Sequence, residues 1–302
     1  MTADIRDRPR LAHEDILRLN FIRKTTPFIF RRHYRTGLRS HIMAVLDRVD
    51  VGHEAHGVLV GKVRWFPKPV PLRMLRIFRT RFENLKAAQE ELARVRLVNH
   101  YLAPDYVAGS EEFLVDYVSD GRRDMLLCGL QEYVGGEVID PWARLDESYL
   151  RSLMSRLQVG QGRSERVDFG QWLLCVQKEA RSFLDRIRAM IREADLVPDL
   201  AGVGNLLLTP SGRIRLVDIN NISEVSSGSS IPLDDRGYPV CDKSIQALAS
   251  LQEKVAGEPV DDAHPLYGRF LDNARIREVE AIVRRFHLNM ASSSGASSYP
   301  QA

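Results

Sequence analysis

The stretch GNLLLTPSGRIRLVDINN, Gly204 to Asn221, carries an Asn at one end and an Asp near the other of what reads as a tight hairpin. Leu206 to Leu208 and Ile214 to Val217 are short apolar runs, and Thr209-Pro210-Ser211-Gly212 between them is turn chemistry, so the pattern predicts strand, turn, strand. Antiparallel pairing brings Asn205, entering the first strand, and Asp218, leaving the second, to the same end of the ribbon. An amide oxygen and a carboxylate in that arrangement outline a metal site. The same residue types also cap strand ends in ordinary turns, so the rest of the chain has to weigh between the two readings.

Composition is that of a globular protein: 302 residues, 44% hydrophobic and 27% charged, enough to bury a large core in one bilobal domain or two smaller ones. No apolar run approaches the ~20 residues that span a bilayer, and the opening MTADIRDRPR has no apolar signal region, so a cytoplasmic protein without a membrane span is expected. Cys128, Cys175 and Cys241 are scattered and odd in number, which argues against a disulfide framework or a paired-cysteine zinc site. The net charge of +3 hides an asymmetry, because residues 1–81 hold 18 Lys and Arg against 7 Asp and Glu. A basic body of this kind attracts phosphates, nucleic acid or anionic lipid, or is simply a solvated face.

Along the chain, residues 12–25 suggest a short helix, and PFIFRRHYRTGLRSHIMAVLDRV suggests two strands around the turn Arg35-Thr36-Gly37. After the Gly-rich and His-containing DVGHEAHG, VLVGKVRWF reads as a third strand with Lys62 in its middle. After prolines 67, 69 and 71, apolar residues at helical spacing predict a long helix over 79–102, with Glu90 and Glu91 inside it. EEFLVDYVS and DMLLCGLQEYV predict two more strands, ending at Gly135-Gly136. Beyond Pro141 the pattern is helical apart from the hairpin, and the tail ASSSGASSYPQA, 291–302, reads as disordered.

That order resembles the protein kinase-like superfamily over roughly residues 38–222. LVGKVRW resembles the strand whose lysine grips nucleotide phosphates, which gives that role to Lys62. EELARV resembles the helix whose glutamate pairs with that lysine; Glu91 fits best, with Glu90 as the other choice. LQEYVGGE is similar to the hinge between lobes, which implies the backbone carbonyl of Glu132 and N–H of Val134 for adenine, Gln131 as gatekeeper, and Glu137 toward ribose. VPDLAGVGNLLL with GRIRLVDIN is similar to the catalytic loop and metal motif, implying Asp199 as base and Asn205 with Asp218 as Mg²⁺ ligands. The resemblance therefore implies an α+β, bilobal kinase-like fold: a strand-rich N-lobe with one long helix (1–134), a mainly helical C-lobe (135–290) with the metal hairpin at 199–221, and ATP and Mg²⁺ as cofactors.

Hard oxygen donors suit Mg²⁺ better than zinc, and phosphoryl transfer asks mainly for positioned charge, so the residue types fit the chemistry. The pattern also departs from the family. Asp199 and Asn205 are one position further apart than expected, with no His or Arg before Asp199, and Gly202 and Gly204 make a bulge there sterically feasible. Ile219-Asn220 follows Asp218 in place of Phe-Gly. A single glycine, Gly37, stands in the expected phosphate loop, where Arg31, Arg32, Arg35 and Arg39 offer charge instead. The resemblance is thus to divergent bacterial kinases, aminoglycoside-phosphotransferase-like or atypical, acting on a protein hydroxyl or small alcohol. The alternative is a nucleotide-binding pseudokinase or regulatory interaction protein without transfer activity. Nucleic acid is not expected as a partner, since no aromatic-interleaved signature accompanies the arginines.

Overall fold

In the computed structural model, which describes residues 4–34, 39–119, 121–159, 168–226, 228 and 230–295, the chain mixes helices with mainly antiparallel sheet. It divides into two compact units, one of Met1–Arg96 with Ala108–Val134, the other of Leu97–Val107 with Gly135–Ala302.

The first unit is built on β-branched and aromatic runs that pair as strands. After α1 (His13–Ile16) come β1 (Phe28–Arg32), β2 (Ser40–Asp47), α2 (Arg48–His56), β3 (Val58–Val60), β4 (Val63–Trp65) and β5 (Arg73–Phe78). The helix α3 (Leu85–Leu102) follows, its end from Leu97 counted with the second unit, and then β6 (Ser110–Ser119) and β7 (Arg122–Glu132). A five-stranded sheet runs in the order β1-β2-β5-β7-β6, each neighbouring pair antiparallel. One side of it buries Met43, Val45, Leu75, Ile77, Leu126 and Cys128 against Ile16 and Leu19. Ala44, Leu46 and Met74 form the core of the other side.

The second unit contains β8 (Glu137–Val138), α4 (Glu147–Val159), α5 (Phe169–Ala194), β9 (Leu196–Pro198), β10 (Leu206–Leu208), β11 (Ile214–Leu216) and β12 (Ile222–Glu224). These are followed by α6 (Val240–Leu251), a π-helical turn at Gln252–Ala256, α7 (Pro265–Phe270) and α8 (Asn273–Gly295). The long α5 is capped by the Asp168 side chain, buries Val176, Ala180, Phe183, Leu184 and Ile187 along one stripe, and ends at Asp195 in the left-handed region, φ 52°. The Asp242 carboxylate, fully buried on α6, meets the Arg275 guanidinium of α8 through Nε at 2.5 Å and Nη2 at 3.0 Å.

Several expectations need correction. DVGHEAHG, for which the sequence pattern names no element, forms most of α2: the Asp47 carboxylate accepts from the Val49 N–H at 2.7 Å, and this cap holds a helix through Gly52 despite that residue's poor helix propensity. Lys62 does not lie mid-strand. Gly61, at φ 61°, and Lys62 form the two-residue turn that joins β3 to β4, because paired Val60 and Val63 leave only those two residues to reverse the chain. The third strand of the large sheet is instead β5. The long helix begins at Leu85, not 79, with the Asn84 side chain accepting from the Ala87 N–H at 2.9 Å. The first helix is a single turn, and α8 extends to Gly295, past the start of the expected disordered tail at 291. The turn Arg35-Thr36-Gly37 and residues 296–302 lie outside the described residues.

His41 ties the N-terminal segment to β2. Its Nε2–H donates to the Ile5 carbonyl at 3.1 Å, so Nδ1 is the acceptor side and faces Arg79 Nη2 at 3.5 Å. Burial, with the Arg79 charge beside it, pushes the imidazole down to about 4 from its usual 6.5. The native state therefore prefers neutral His41. Its contribution, about 3 kcal/mol by linkage, is complete above 6.5 and is lost as pH falls from 6.5 toward 4. Thermal melts across that window should show the parent losing stability steadily, and His41→Gln should flatten the slope; an unchanged slope would place the acid sensitivity elsewhere. A second expectation concerns the buried pair: Asp242→Ala strands the Arg275 charge and should cost about 3–5 kcal/mol in denaturant titration, against less than about 1 kcal/mol for removing the exposed Glu147 partner of Arg151.

Candidate functional site

The hairpin predicted from Gly204–Asn221 forms, with Leu206 opposite Leu216 and Leu208 opposite Ile214. The Val217 N–H donates to the Asn205 carbonyl at 2.8 Å, so the ends of the two strands are closed on each other. A second short ladder, β9 with β12, places Pro198 opposite Ile222, and the Asp199 N–H donates to the Asn221 carbonyl at 2.8 Å. The segments 199–205 and 217–221 are thus the two connections between the same pair of ladders. Asp199, Asn205, Asp218 and Asn221 come together for that reason.

Within the first segment, the Asn205 N–H donates to the Gly202 carbonyl at 3.0 Å, making a β-turn in which Gly204 takes φ 93°. The Asn205 Nδ2 donates to the Asp199 carbonyl at 2.9 Å. That bond fixes the amide's orientation, since a carbonyl can only accept, and leaves Asn205 Oδ1 as the donor atom for a ligand. A Cβ on Gly202 would sit 2.5 Å from Asn205 Nδ2, so the tucked amide requires glycine there.

Asp199 is 8% exposed. Its Oδ1 accepts from the Ala201 and Gly202 N–H groups, both at 3.0 Å, and its Oδ2 from Asn221 Nδ2 at 3.3 Å. Burial raises its pKa above the usual 3.8 and the Asp218 charge raises it further, against the pull of those three donors. Asp218 Oδ1 accepts from the Asn220 N–H and from its Nδ2, each at 3.3 Å. The Tyr238 phenol is pushed up to about 12, first by burial and then by the charges of Asp199 and Asp234.

Sequence reasoning missed the residues that hold this loop. Ser244 Oγ on α6 accepts from the Leu200 N–H at 3.2 Å, and the Trp142 indole N–H donates to the Ala201 carbonyl at 3.0 Å. The Lys243 ammonium lies 3.8 Å from the Trp142 ring centroid and donates to Gln246 Oε1 at 2.9 Å; burial lowers its pKa. Only Asn221 left a trace, as the second Asn of DINN.

The other expected residues are distributed differently. Lys62 is exposed at its hairpin turn and makes no ion pair among the described residues, while Glu91 pairs with Arg94 at 3.9 Å one helical turn on; no Lys62–Glu91 bridge is present. Glu90 is exposed and pairs with Lys86 at 3.9 Å. The buried cation on the third sheet strand is Arg76, 1% exposed, opposite Gly129 and Ile42. Gln131 is buried, stands opposite Met74, and lies two positions from Gly129, so it shares a sheet face with Arg76. The Glu132 N–H donates to the Gly109 carbonyl at 2.7 Å and its Oε2 accepts from the Gly109 N–H at 3.2 Å. Val134 is half-buried just beyond β7. Glu137 is bound by Arg156 Nε at 2.8 Å.

Among the described residues no group of three or more His, Cys, Asp and Glu side chains converges on a metal position. The donors on hand for a cation are the Asp218 carboxylate and the Asn205 amide oxygen, a hard and partly anionic set that suits Mg²⁺ completed by phosphate and water. No helix among the described residues is long and apolar enough to cross a membrane.

No family model matches the chain. No curated protein matches it either. Among solved structures, the ROP18 kinase domain in complex with AMP-PNP and sucrose aligns with a TM-score of 0.36 at 11% identity, over 87% of this chain and 83% of that one. A likeness that remote leaves the assignment to the residues themselves.

The charge state of Asp199 gives a direct test. Because its native pKa is raised, the ionised carboxylate lowers stability, fully so above the raised value and not at all below 3.8, where it is protonated in both states. Asp199→Asn keeps an acceptor oxygen and removes the charge beside Asp218. It should melt a few degrees above the parent at neutral pH, with the gain shrinking as pH falls toward 3.8; a variant less stable than the parent at neutral pH would contradict the assigned burial cost.

Proposed function

We propose that the chain is a divergent phosphotransferase of bilobal, kinase-like fold that uses ATP and Mg²⁺ to phosphorylate a protein hydroxyl or a small alcohol. The observation that carries the reading is the hydrogen-bonded unit of Asp199, Asn205 and Asn221 at the joined ends of two short ladders, with the Asp218 charge close enough to raise the proton affinity of Asp199. A buried carboxylate beside a second negative charge is costly unless a cation or a proton uses it.

In this reading Asp218 and Asn205 hold Mg²⁺, which when bound neutralises charge on the transferring phosphates. Asp199, with its raised proton affinity, accepts the proton of the acceptor hydroxyl. Gln131, Glu132 and Val134 form the adenine edge. Arg76 takes the phosphate-facing role expected of Lys62, being the buried cation on the sheet strand that precedes α3. Glu91 remains the candidate that positions it. Glu137 is committed to Arg156 and is assigned to packing instead of ribose.

The second reading, a nucleotide binder without transfer, is favoured by one feature: Asp199 Oδ1 is already held by two backbone N–H groups of its own loop. Incubation with γ-labelled ATP, Mg²⁺ and a panel of protein and small-alcohol acceptors separates the two. Transfer is expected, reduced roughly 10²- to 10⁴-fold by Asp199→Asn with nucleotide affinity unchanged. Asp218→Ala should abolish the Mg²⁺-dependent part of the thermal shift given by ATP while leaving the ligand-free melting point within a few degrees. Nucleotide binding with no transfer supports the second reading, and an Asp218→Ala protein stabilised as much as the parent removes the metal site from both.

A further inference from the structure

Between β2 and β5 the chain leaves the five-stranded sheet for residues 48–72. In this excursion no residue of α2 is fully buried, Val51 packing partly buried against the Ala44, Leu46 and Met74 core, and the ribbon of β3 and β4 is paired only with itself. Its register sets Val58 opposite Trp65 and Val60 opposite Val63. Directly opposed residues share a face, so these four make one wholly apolar face. Val60, Val63 and Trp65 are 63%, 66% and 59% exposed. The other face carries Leu59 and Arg64, whose Nη1 donates to the His56 carbonyl at 2.8 Å and so ties that side to the end of α2. A contiguous apolar face held toward water while its reverse is anchored marks an interaction surface.

Charge selects the partner. Residues 57–72 contain Lys62, Arg64 and Lys68 and no Asp or Glu. Lys62 is at the ribbon's turn, and Lys68 follows the strand that carries Trp65. We propose that this face docks on the surface of an anionic phospholipid bilayer, with Val60, Val63 and Trp65 in the boundary between headgroups and acyl chains and Lys62 and Lys68 at lipid phosphates. Tryptophan favours that boundary, and a lysine stem lies along apolar surface while its ammonium reaches phosphate. A second copy of this chain is a poorer occupant, because a two-fold pairing of the face with itself would gather both copies' lysines along one seam. The surface is independent of the nucleotide reading and of any transmembrane helix.

The test uses the full chain and phosphatidylcholine vesicles with and without phosphatidylglycerol. Cosedimentation is expected with the anionic vesicles, weakening as salt is raised. Lys62→Glu and Lys68→Glu should each lower the partition coefficient about fivefold or more, and Val63→Ser with Trp65→Ser roughly tenfold or more. All four positions lie outside the buried core, so circular dichroism should confirm an unchanged fold. The parent's tryptophan emission should shift to the blue on adding anionic vesicles, and Trp65→Phe should abolish that shift because Trp142 and Trp172 lie outside the ribbon. Failure to sediment with anionic vesicles overturns the proposal, as does binding that the serine pair leaves intact. A concentration-dependent dimer in sedimentation velocity, abolished by the serine pair, would give the face to a second copy and overturn it equally.

Discussion

A buried carboxylate, Asp199, with the negative charge of Asp218 beside it, is the constraint on which the geometry of its loop depends. Burial raises the free energy of ionising Asp199, and the Asp218 charge raises it further. The fold offsets the cost with donors: two N–H groups and an amide on Asp199, and the Asn220 main and side chains on Asp218. The Ala201 and Gly202 donors adjoin the Gly202–Asn205 turn and depend on its shape. That in turn depends on a glycine where any Cβ would meet the Asn205 amide. An arrangement that holds unfavourable charge in place with backbone geometry is characteristic of sites built for chemistry.

The loop is held from several sides. The Leu200 N–H is bound by Ser244 of α6, and α6 is itself fixed by the Asp242–Arg275 pair to α8. Trp142 holds the Ala201 carbonyl, with Lys243 of the same α6 against its ring. One helix therefore supplies Ser244 to the loop, Lys243 to the loop's aromatic neighbour, and Asp242 to the buried ion pair. Loss of α6 position would release the loop even though no α6 side chain is assigned to the reaction. Such support on rigid elements keeps a loop site precise.

The first unit shows the opposite economy. Its sheet is covered on both sides, and a fully buried Arg76 shares a face with Gln131. Against this packing the excursion from Arg48 to Leu72 stands out, with a capped helix whose Val51 is only partly buried against the core and a ribbon that leaves Trp65 in water.

The sequence by itself determined the strand, turn and helix patterns whose signals are local. The β10–β11 hairpin was legible because Pro210, Ser211 and Gly212 punctuate two apolar runs. The long α5 and the β6–β7 pair follow from period and antiparallel geometry, as does the placing of Asn205 and Asp218 at the same end of the hairpin. Tertiary structure decided what depends on partners distant along the chain. VLVGKVRW has strand character, yet only the pairing of the sheet shows that β5 takes the third position and that Lys62 is left in a turn. α2 depends on a cap at Asp47 stronger than the signals of its glycine and histidines. Ser244, Trp142 and Asn221 reach the Asp199 loop from other segments, and no spacing within a linear pattern marks side chains that meet only after the ladders close. Local propensity is written in neighbouring residues, whereas burial, register and charge neighbourhood belong to the folded chain.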